Sequence, residues 1–254
     1  MDSLVLKLVL TPALIGAASV AGRRWGQGVG GWFVGLPLTS GPIVFFLALD
    51  HGAAFARAAA VGALAGAVAE AAFVLAYGWL ASRAQWPVAL GSGCLAFGAA
   101  ILALQHVALA LVWLFPAVIL ALALAFRLMP RGGEPRGGAP LPRWDIPARM
   151  AVTTALVLGL TGLAQALGPR LAGLLATFPL YAAVLTVFAH RLEGPNPAVE
   201  VLRGLLLGLF SFAGFFVVLG GLIERVGVAP AFAAAGALAL LVQAASLVLV
   251  VGKT

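Results

Sequence analysis

The sequence predicts an all-α membrane protein of about nine transmembrane helices, with two inverted four-helix repeats joined by one linking helix. The composition points to the membrane, since 63% of the 254 residues are hydrophobic and 9% are charged, against roughly 45–50% and 25% in soluble domains. The apolar runs reach the ~20 residues that a helix needs to cross about 30 Å of hydrocarbon, whereas membrane strands show shorter alternating segments.

Charged, Gly and Pro residues separate the apolar runs and set the helix boundaries. The helices are predicted at about residues 3–21, 28–50, 54–82, 87–105, 107–127, 147–166, 171–190, 197–223 and 229–251. The run from Pro87 to Arg127 is divided because one helix, at 1.5 Å per residue, would be about 60 Å long. The segment from Pro130 to Pro147 is polar and rich in Pro, Gly and Arg, so it predicts a flexible linker.

The basic residues predict the orientation in the membrane. With the N-terminus outside and the C-terminus inside, eleven Lys and Arg residues lie on the cytoplasmic side. Four lie outside: Lys7, Arg57, Arg170 and Arg225. This bias follows the positive-inside rule. The same residues are scattered between apolar runs and form no patch, so the net charge of +7 does not indicate a nucleic-acid partner.

The two halves of the chain resemble each other. A shift of 142 positions aligns them without a gap through three helices, and one extra residue in the second copy restores the register for the fourth. Matching pairs include Thr11 and Thr153, Gly31 and Gly173, Pro37 and Pro179, Gly52 and Gly194, Gly62 and Gly204, Gly66 and Gly208, Arg83 and Arg225, and Gly93 and Gly236. The chain therefore divides into residues 1–105, the first repeat, residues 106–146, the linking helix and the cytoplasmic linker, and residues 147–254, the second repeat.

The linking helix has no counterpart, and this decides how the repeats are related. Four helices return the chain to its starting side, so one further crossing makes the second repeat enter from the opposite face. Inverted repeats of this kind are the architecture of many secondary transporters.

Two prolines at equivalent repeat positions, Pro37 and Pro179, lie near the middles of the second and seventh predicted helices. Each removes a backbone donor and interrupts its helix inside hydrocarbon. A pair of interrupted helices at corresponding positions is typical of a transporter's binding site. In the first copy, Thr39 is predicted to cap a new helix whose N-terminus attracts an anionic group. The predicted substrate-binding residues are Pro37, Thr39, Ser40, Gly41, Thr177, Pro179 and Tyr181. Plain kinks held by hydroxyl hydrogen bonds are the alternative interpretation.

Glu70 lies at the centre of the third predicted helix, where its repeat counterpart is Phe212. An acidic residue at mid-bilayer costs roughly 3 kcal/mol, so it should face a cavity or a partner. We predict an ion-coupling role for Glu70. The alternative is a protonated side chain that is hydrogen-bonded between helices.

The remaining polar residues lie mostly near helix ends. Asp50 and His51 end the second predicted helix on the outer side, whereas His190 ends the seventh on the inner side, and each is a possible gate or interface residue. The spacing predicts no metal site and no cofactor, and the chain has no nucleophile, phosphate-loop or paired-carboxylate motif, so it is not predicted to be an enzyme. The glycine pairs at 62 and 66 and at 204 and 208 predict close helix contacts.

The run Leu171-Ala-Gly-Leu-Leu-Ala-Thr-Phe-Pro-Leu-Tyr-Ala, followed by His190 and by Ala198-Val-Glu-Val-Leu-Arg-Gly204, resembles the GlpM-like family of small bacterial inner-membrane proteins. The likeness covers residues 148–250, and residues 8–105 through the repeat. Family members are much shorter, so the resemblance implies a fused internal duplication in a bacterial cytoplasmic membrane. It also implies a loose connection to envelope polysaccharide production, and it transfers no catalytic residue.

These features predict a secondary transporter or flippase of the cytoplasmic membrane, which moves a small or lipid-linked metabolite by alternating access at a midplane site. An anionic substrate is included because of the predicted helix N-terminus. The alternative is a non-transporting scaffold subunit of an envelope-biogenesis complex. The predicted partners are membrane lipids and the small-molecule or lipid-linked substrate, with a homodimer as an open option.

Overall fold

A computed structural model describes residues 3–106, 109–132, 141–159 and 178–251 of the chain. Within these ranges α-helix is the regular secondary structure, which confirms the predicted all-α class. The helices are α1 (Ser3–Trp25), α2 (Gln27–Val34), α3 (Ser40–His51), α4 (Ala53–Ala81), α5 (Trp86–Leu104), α6 (Leu111–Leu128), α7 (residues 145–159, the last of that described range), α8 (Leu180–Glu193), α9 (Pro195–Val226) and α10 (Val228–Val251). Parts of the helices predicted at 147–166 and 171–190, and of the linker, lie outside the described residues.

Five helices are long and apolar enough to cross a membrane, namely α4, α5, α6, α9 and α10. In α4 and α9, 44% and 72% of the residues in the most apolar segment are buried, against 22% in each of the other three. α4 and α9 are therefore the central pair. The outer helices expose large apolar side chains, such as Leu95, Val112 and Leu241, as expected of surfaces that face lipid rather than water.

Glycines bring α2 into backbone contact with α9. A Cβ at Gly31 would overlap the carbonyl oxygen of Val201, and a Cβ at Gly204 would overlap that of Gly28. Gly208 lies in the same way against Gly35. The predicted role of Gly204 and Gly208 in close helix contact is thus confirmed, because a side chain at either position would push the two backbones apart. The same role predicted for Gly62 is wrong, because no atom lies within 4 Å of a Cβ there.

A chain of charged side chains defines one end of the helix bundle. Asp145 lies 2.8 Å from Arg23 and 2.8 Å from Arg149, and Arg149 lies 4.0 Å from Glu193. We call these four residues the Arg149 end. They join the end of α1, the start of α7 and the end of α8. Gln27, at the start of α2, donates a hydrogen bond of 2.6 Å to Glu193 and so lies at the same end.

Among the described residues, an exposed ion pair lies at the opposite end. Arg57 in the first turns of α4 donates to Glu224 near the end of α9 at 3.0 Å, and Arg225 follows in sequence. These three residues are called the Arg57 end. One turn further inward, a Cβ at Gly220 would lie 3.8 Å from that of Ala60, so α4 and α9 pack side by side in opposite directions.

The helix directions follow from these two ends. α1, α4 and α8 finish near the Arg149 end, and α6 finishes there because Trp79 donates to the carbonyl of Leu128 at 3.1 Å. α2 starts at the Arg149 end and α3 finishes beside the start of α4, so together they run from one end to the other. α5 and α7 start near the Arg149 end, whereas α9 finishes and α10 starts near the Arg57 end.

Two glycines at equivalent sequence positions make the turn into the central helices. Gly52 has φ 85° and Gly194 has φ 101°, and each leads directly into α4 or α9. Positive φ is strained for residues with a side chain, so both turns require glycine. Each glycine lets the chain reverse without a loop between consecutive helices.

Gly204→Ala should destabilise the protein, because its methyl group would meet the backbone of Gly28 and force α2 from α9. We expect a loss of about 1–3 kcal/mol in unfolding free energy, typical of overpacking. Gly236→Ala is the matched control, since no atom lies within 4 Å of a Cβ at Gly236. It should be neutral or stabilising, because alanine favours helix by about 1 kcal/mol over glycine. Unfolding in detergent micelles measures both variants, and equal effects would contradict the close contact.

Candidate functional site

The first break separates α2 from α3 around Pro37. The Leu38 amide donates to the Leu36 carbonyl at 2.8 Å, and the Gly41 amide donates to the Pro37 carbonyl at 2.9 Å. Proline has no amide hydrogen to continue α2, so the chain makes a tight turn and then starts a new helix. The break predicted within residues 28–50 is therefore present.

A second turn, at Phe178–Leu180, has the same backbone hydrogen bonds. We call it the second break because the sequence predicts a helix over residues 171–190, of which residues 171–177 lie outside the described residues. The Leu180 amide donates to the Phe178 carbonyl at 2.8 Å, and the Ala183 amide donates to the Pro179 carbonyl at 2.8 Å. Pro179 has φ −75° and ψ 60°, which is an inverse γ-turn. Both donors and both acceptors lie 142 positions after their counterparts in the first break.

A cleft of about 90 Å³ lies between the two breaks and the central helices. Its lining residues are Val34, Gly35, Leu36, Thr39, Ser40, Ala63, Glu70, Phe178, Pro179, Leu180, Tyr181, Ala182, Leu205, Leu209 and Phe212. Ten of them form five pairs of equivalent repeat positions: Leu36 and Phe178, Thr39 and Tyr181, Ser40 and Ala182, Ala63 and Leu205, and Glu70 and Phe212. The two halves of the chain thus contribute corresponding residues to the cleft.

Most of the predicted substrate-binding and ion-coupling residues line this cleft. Thr39, Ser40, Glu70, Pro179 and Tyr181 all line it. Glu70 comes from the middle of α4 and is the acidic side chain among the lining residues, opposite mostly apolar atoms. A carboxyl group in this position can bind a proton, a cation or a polar ligand.

Other predicted residues lie elsewhere. Gly41 packs against the Phe215 ring, 3.4 Å from an ideal Cβ, and Pro37 lies beside it within the turn. Asp50 and His51 are exposed at the end of α3. Thr177 lies outside the described residues.

The predicted hydroxyl cap of α3 is wrong. Thr39 occupies the N-cap position, but its side chain makes no capping hydrogen bond. Its backbone has φ −104° and ψ −47°, already in the helical region, whereas a capping residue usually adopts an extended conformation that aims its oxygen at the next amides. The Thr39 side chain lines the cleft instead.

The polar groups of the two breaks have different partners. Tyr181 donates to Thr11 of α1 at 3.1 Å, which anchors the start of α8. Around the second break, the Phe178 ring lies edge-on to Phe73 and Phe97, with centroids 5.7 Å and 5.4 Å apart. Aromatic rings therefore enclose the second break, while glycine contacts with α9 enclose the first.

The sequence did not predict a role for Gln243, whose side chain supplies a hydrogen-bond donor at the first break. Its buried side-chain amide donates to the carbonyl of Trp32 at 2.9 Å, near the end of α2, where the interrupted helix lacks donors. The Trp32 indole donates to Ser246 at 2.8 Å, and Ser246 donates to the Gln243 carbonyl at 2.9 Å. The sequence feature that could have identified this contact is a glutamine inside the most apolar part of α10, because its side-chain amide needs a hydrogen-bond partner within the protein.

A second missed contact involves His190. The Tyr77 hydroxyl and His190 Nδ1 lie 3.2 Å apart, and Tyr77 is fully buried. His190 thus holds the end of α8 against α4 near the Arg149 end, far along α4 from His51. The two histidines do not share a surface.

Comparison of the chain with protein-family models, with curated proteins and with solved structures finds no match.

Gln243→Met should lower the unfolding free energy by about 1–3 kcal/mol, because it leaves the Trp32 carbonyl without its donor in apolar surroundings. Unfolding in detergent micelles measures the loss. Gln85→Met is the control, since Gln85 is exposed before α5 and its side chain makes no capping hydrogen bond. A loss for Gln85→Met equal to that for Gln243→Met would show that the Trp32 contact carries no stability.

Proposed function

We propose that the chain crosses the membrane nine times as two inverted four-helix repeats joined by α6. Three observations support this arrangement. Helices at corresponding positions run in opposite directions, both breaks have the same backbone hydrogen bonds, and the cleft is lined by equivalent residues of both halves. A pseudo-two-fold axis through the cleft, in the membrane plane, relates two such repeats.

In this proposal the Arg149 end is cytoplasmic and the N-terminus is outside. The positive-inside rule favours that orientation, because most Lys and Arg residues of the chain belong to the side that includes Arg23 and Arg149. The Arg57 end then lies on the outer surface.

The orientation and the inversion are tested together by Arg83 and Arg225, which occupy equivalent repeat positions and are both exposed. Cys94 is the single cysteine, so Cys94→Ala gives a cysteine-free background. A membrane-impermeant maleimide should label Arg83→Cys only from the cytoplasmic side and Arg225→Cys only from outside. Labelling of both variants from the same side would contradict the inverted arrangement.

The function that the geometry supports best is secondary transport or flipping across the cytoplasmic membrane. The observation that carries this proposal is the cleft itself, in which the two breaks and Glu70 meet between the central helices. Interrupted helices that face each other across a repeat interface form the substrate sites of secondary transporters. With no nucleotide-binding motif in the chain, a gradient or the substrate's own distribution supplies the energy.

The cleft volume restricts the substrate. About 90 Å³ holds a few water molecules or a small ion, well below the roughly 300–1,000 Å³ of pockets for larger ligands. A small solute is therefore favoured over a lipid-linked one in this conformation, and a larger substrate requires the repeats to move apart. The choice of an envelope metabolite rests on the GlpM-like resemblance alone.

Glu70 is the proposed ion-coupling residue. Its carboxyl group reaches the cleft from the centre of α4, where an acidic side chain costs roughly 3 kcal/mol unless it faces a cavity or a partner. Binding of a proton or a cation reduces that cost and changes the charge of the site. This links occupation of the cleft to an ion gradient.

Alternating access requires that the cleft be reached from each side in turn, and Ser40→Cys in the cysteine-free background tests this without a known substrate. Ser40 lines the cleft, and the replacement is nearly isosteric. An impermeant maleimide added from either side should label it, while Arg83→Cys and Arg225→Cys remain one-sided controls. Labelling from neither side, or from one side only, would favour the scaffold alternative.

Glu70→Gln should leave insertion and folding intact and remove ion coupling. In a thermal-shift screen of the purified chain against anions and envelope precursors at two pH values, the pH dependence of ligand stabilisation should disappear in Glu70→Gln. Glu224→Gln is the control, because Glu224 is exposed at the Arg57 end. The transporter proposal fails if no ligand stabilises the native chain.

A further inference from the structure

A second and larger space lies at the Arg57 end, apart from the cleft. It is a groove of about 690 Å³ between α6 and α9, beside the start of α4. Its apolar wall consists of Leu111, Val112, Phe115, Val217, Gly220 and Gly221. From Val217 to Glu224 the groove follows α9 for roughly 10 Å at 1.5 Å per residue.

The absence of a side chain at Gly221 keeps the groove open. The nearest atom to a Cβ at Gly221 is a methyl carbon of Leu111, 3.9 Å away. Trp79 stands at the equivalent position of the first repeat, and its indole lies against the end of α6, bonded to the Leu128 carbonyl. One end of α6 is thus covered by a tryptophan, while the other end borders a groove.

Charged groups lie at one extremity of the groove only. Arg57 and Glu224 form an exposed ion pair of 3.0 Å, and Arg225 has no ion-pair partner among the described residues. The two arginines and one glutamate give this extremity a net charge of +1. Positive charge is scarce on this side of the protein, yet two of its four predicted basic residues border the groove.

The apolar wall of the groove offers water no hydrogen-bond partners, whereas the charged extremity does. An amphiphile fits both the apolar wall and the charged extremity of the groove. Its hydrocarbon chain lies along Phe115 and Val217, and its headgroup lies at the arginines. Arginine binds phosphate through paired N–H donors, which favours a phosphate-bearing headgroup.

We propose that this groove is a binding site for one phospholipid with an anionic headgroup, its phosphate held by Arg57 and Arg225 and one acyl chain lying along Gly220 and Gly221. Such a lipid fills the space between α6 and α9 in the outer leaflet. The proposal is independent of transport, because it involves none of the residues that line the cleft.

Native mass spectrometry of the purified chain in mild detergent tests the site. The chain should retain one phospholipid, and after delipidation it should bind phosphatidylglycerol more tightly than phosphatidylcholine. Gly221→Leu fills the groove and should abolish retention of both lipids. Arg225→Gln should weaken phosphatidylglycerol binding by about fivefold and phosphatidylcholine binding less, because the choline cation offsets the phosphate charge that attracts Arg225. Inorganic phosphate at the same concentration should displace neither lipid, since it lacks the acyl chain.

Gly91→Leu is the matched control, because Gly91 is an exposed glycine of α5 with no atom within 4 Å of its Cβ position. It should retain lipid as the native chain does, and circular dichroism should show equal helix content in all variants. The proposal is wrong if Gly221→Leu retains as much lipid as Gly91→Leu, or if Arg225→Gln shows no loss of headgroup preference. It is also wrong if Gly221→Leu only converts a dimer to a monomer, since the occupant is then a second copy.

Discussion

Backbone N–H and C=O groups cannot be left unpaired in hydrocarbon, and this is the constraint on which the packing around the Pro37 turn depends. The turn at Pro37 leaves carbonyl groups at the end of α2 without helical donors. Lipid supplies no donor, so protein has to surround the break. The contact of α2 with α9 through Gly204 and Gly208, and the hydrogen bond from Gln243 to Trp32, are the direct consequences.

The same constraint explains why α4 and α9 form the centre of the bundle. Each follows the shorter helix, α3 or α8, that begins after a proline turn, and each is reached through a glycine turn at Gly52 or Gly194. The two central helices pack against each other in opposite directions. The first break packs against α9, and the second packs against aromatic rings of α4 and α5. The cleft is the space that remains between them, so the elements that protect the backbone also build the site.

Some of these features follow from the sequence, and others depend on the folded structure. Proline lacks the amide hydrogen that continues a helix, and its recurrence after 142 positions predicts the turns at Pro37 and Pro179 and, with them, the cleft residues Thr39 and Tyr181. The hydroxyl cap failed because it depends on the ψ angle of Thr39, which the turn determines and residue type does not. The partner of Gln243 was also beyond prediction, since a polar side chain on an apolar helix needs a partner but periodicity does not identify which carbonyl it meets.

The cleft residues that differ in type between the two halves of the chain determine the chemistry of the cleft. Glu70 and Phe212 line the cleft at equivalent positions, so the cleft contains one carboxyl group where an exact duplication would place two or none. Two carboxylates sharing so small a space would repel each other, and the pKa of one would rise strongly. A single carboxylate avoids that conflict and binds at most one proton or one monovalent cation. In the proposed transport cycle, the coupling stoichiometry at this residue is therefore limited to one charge.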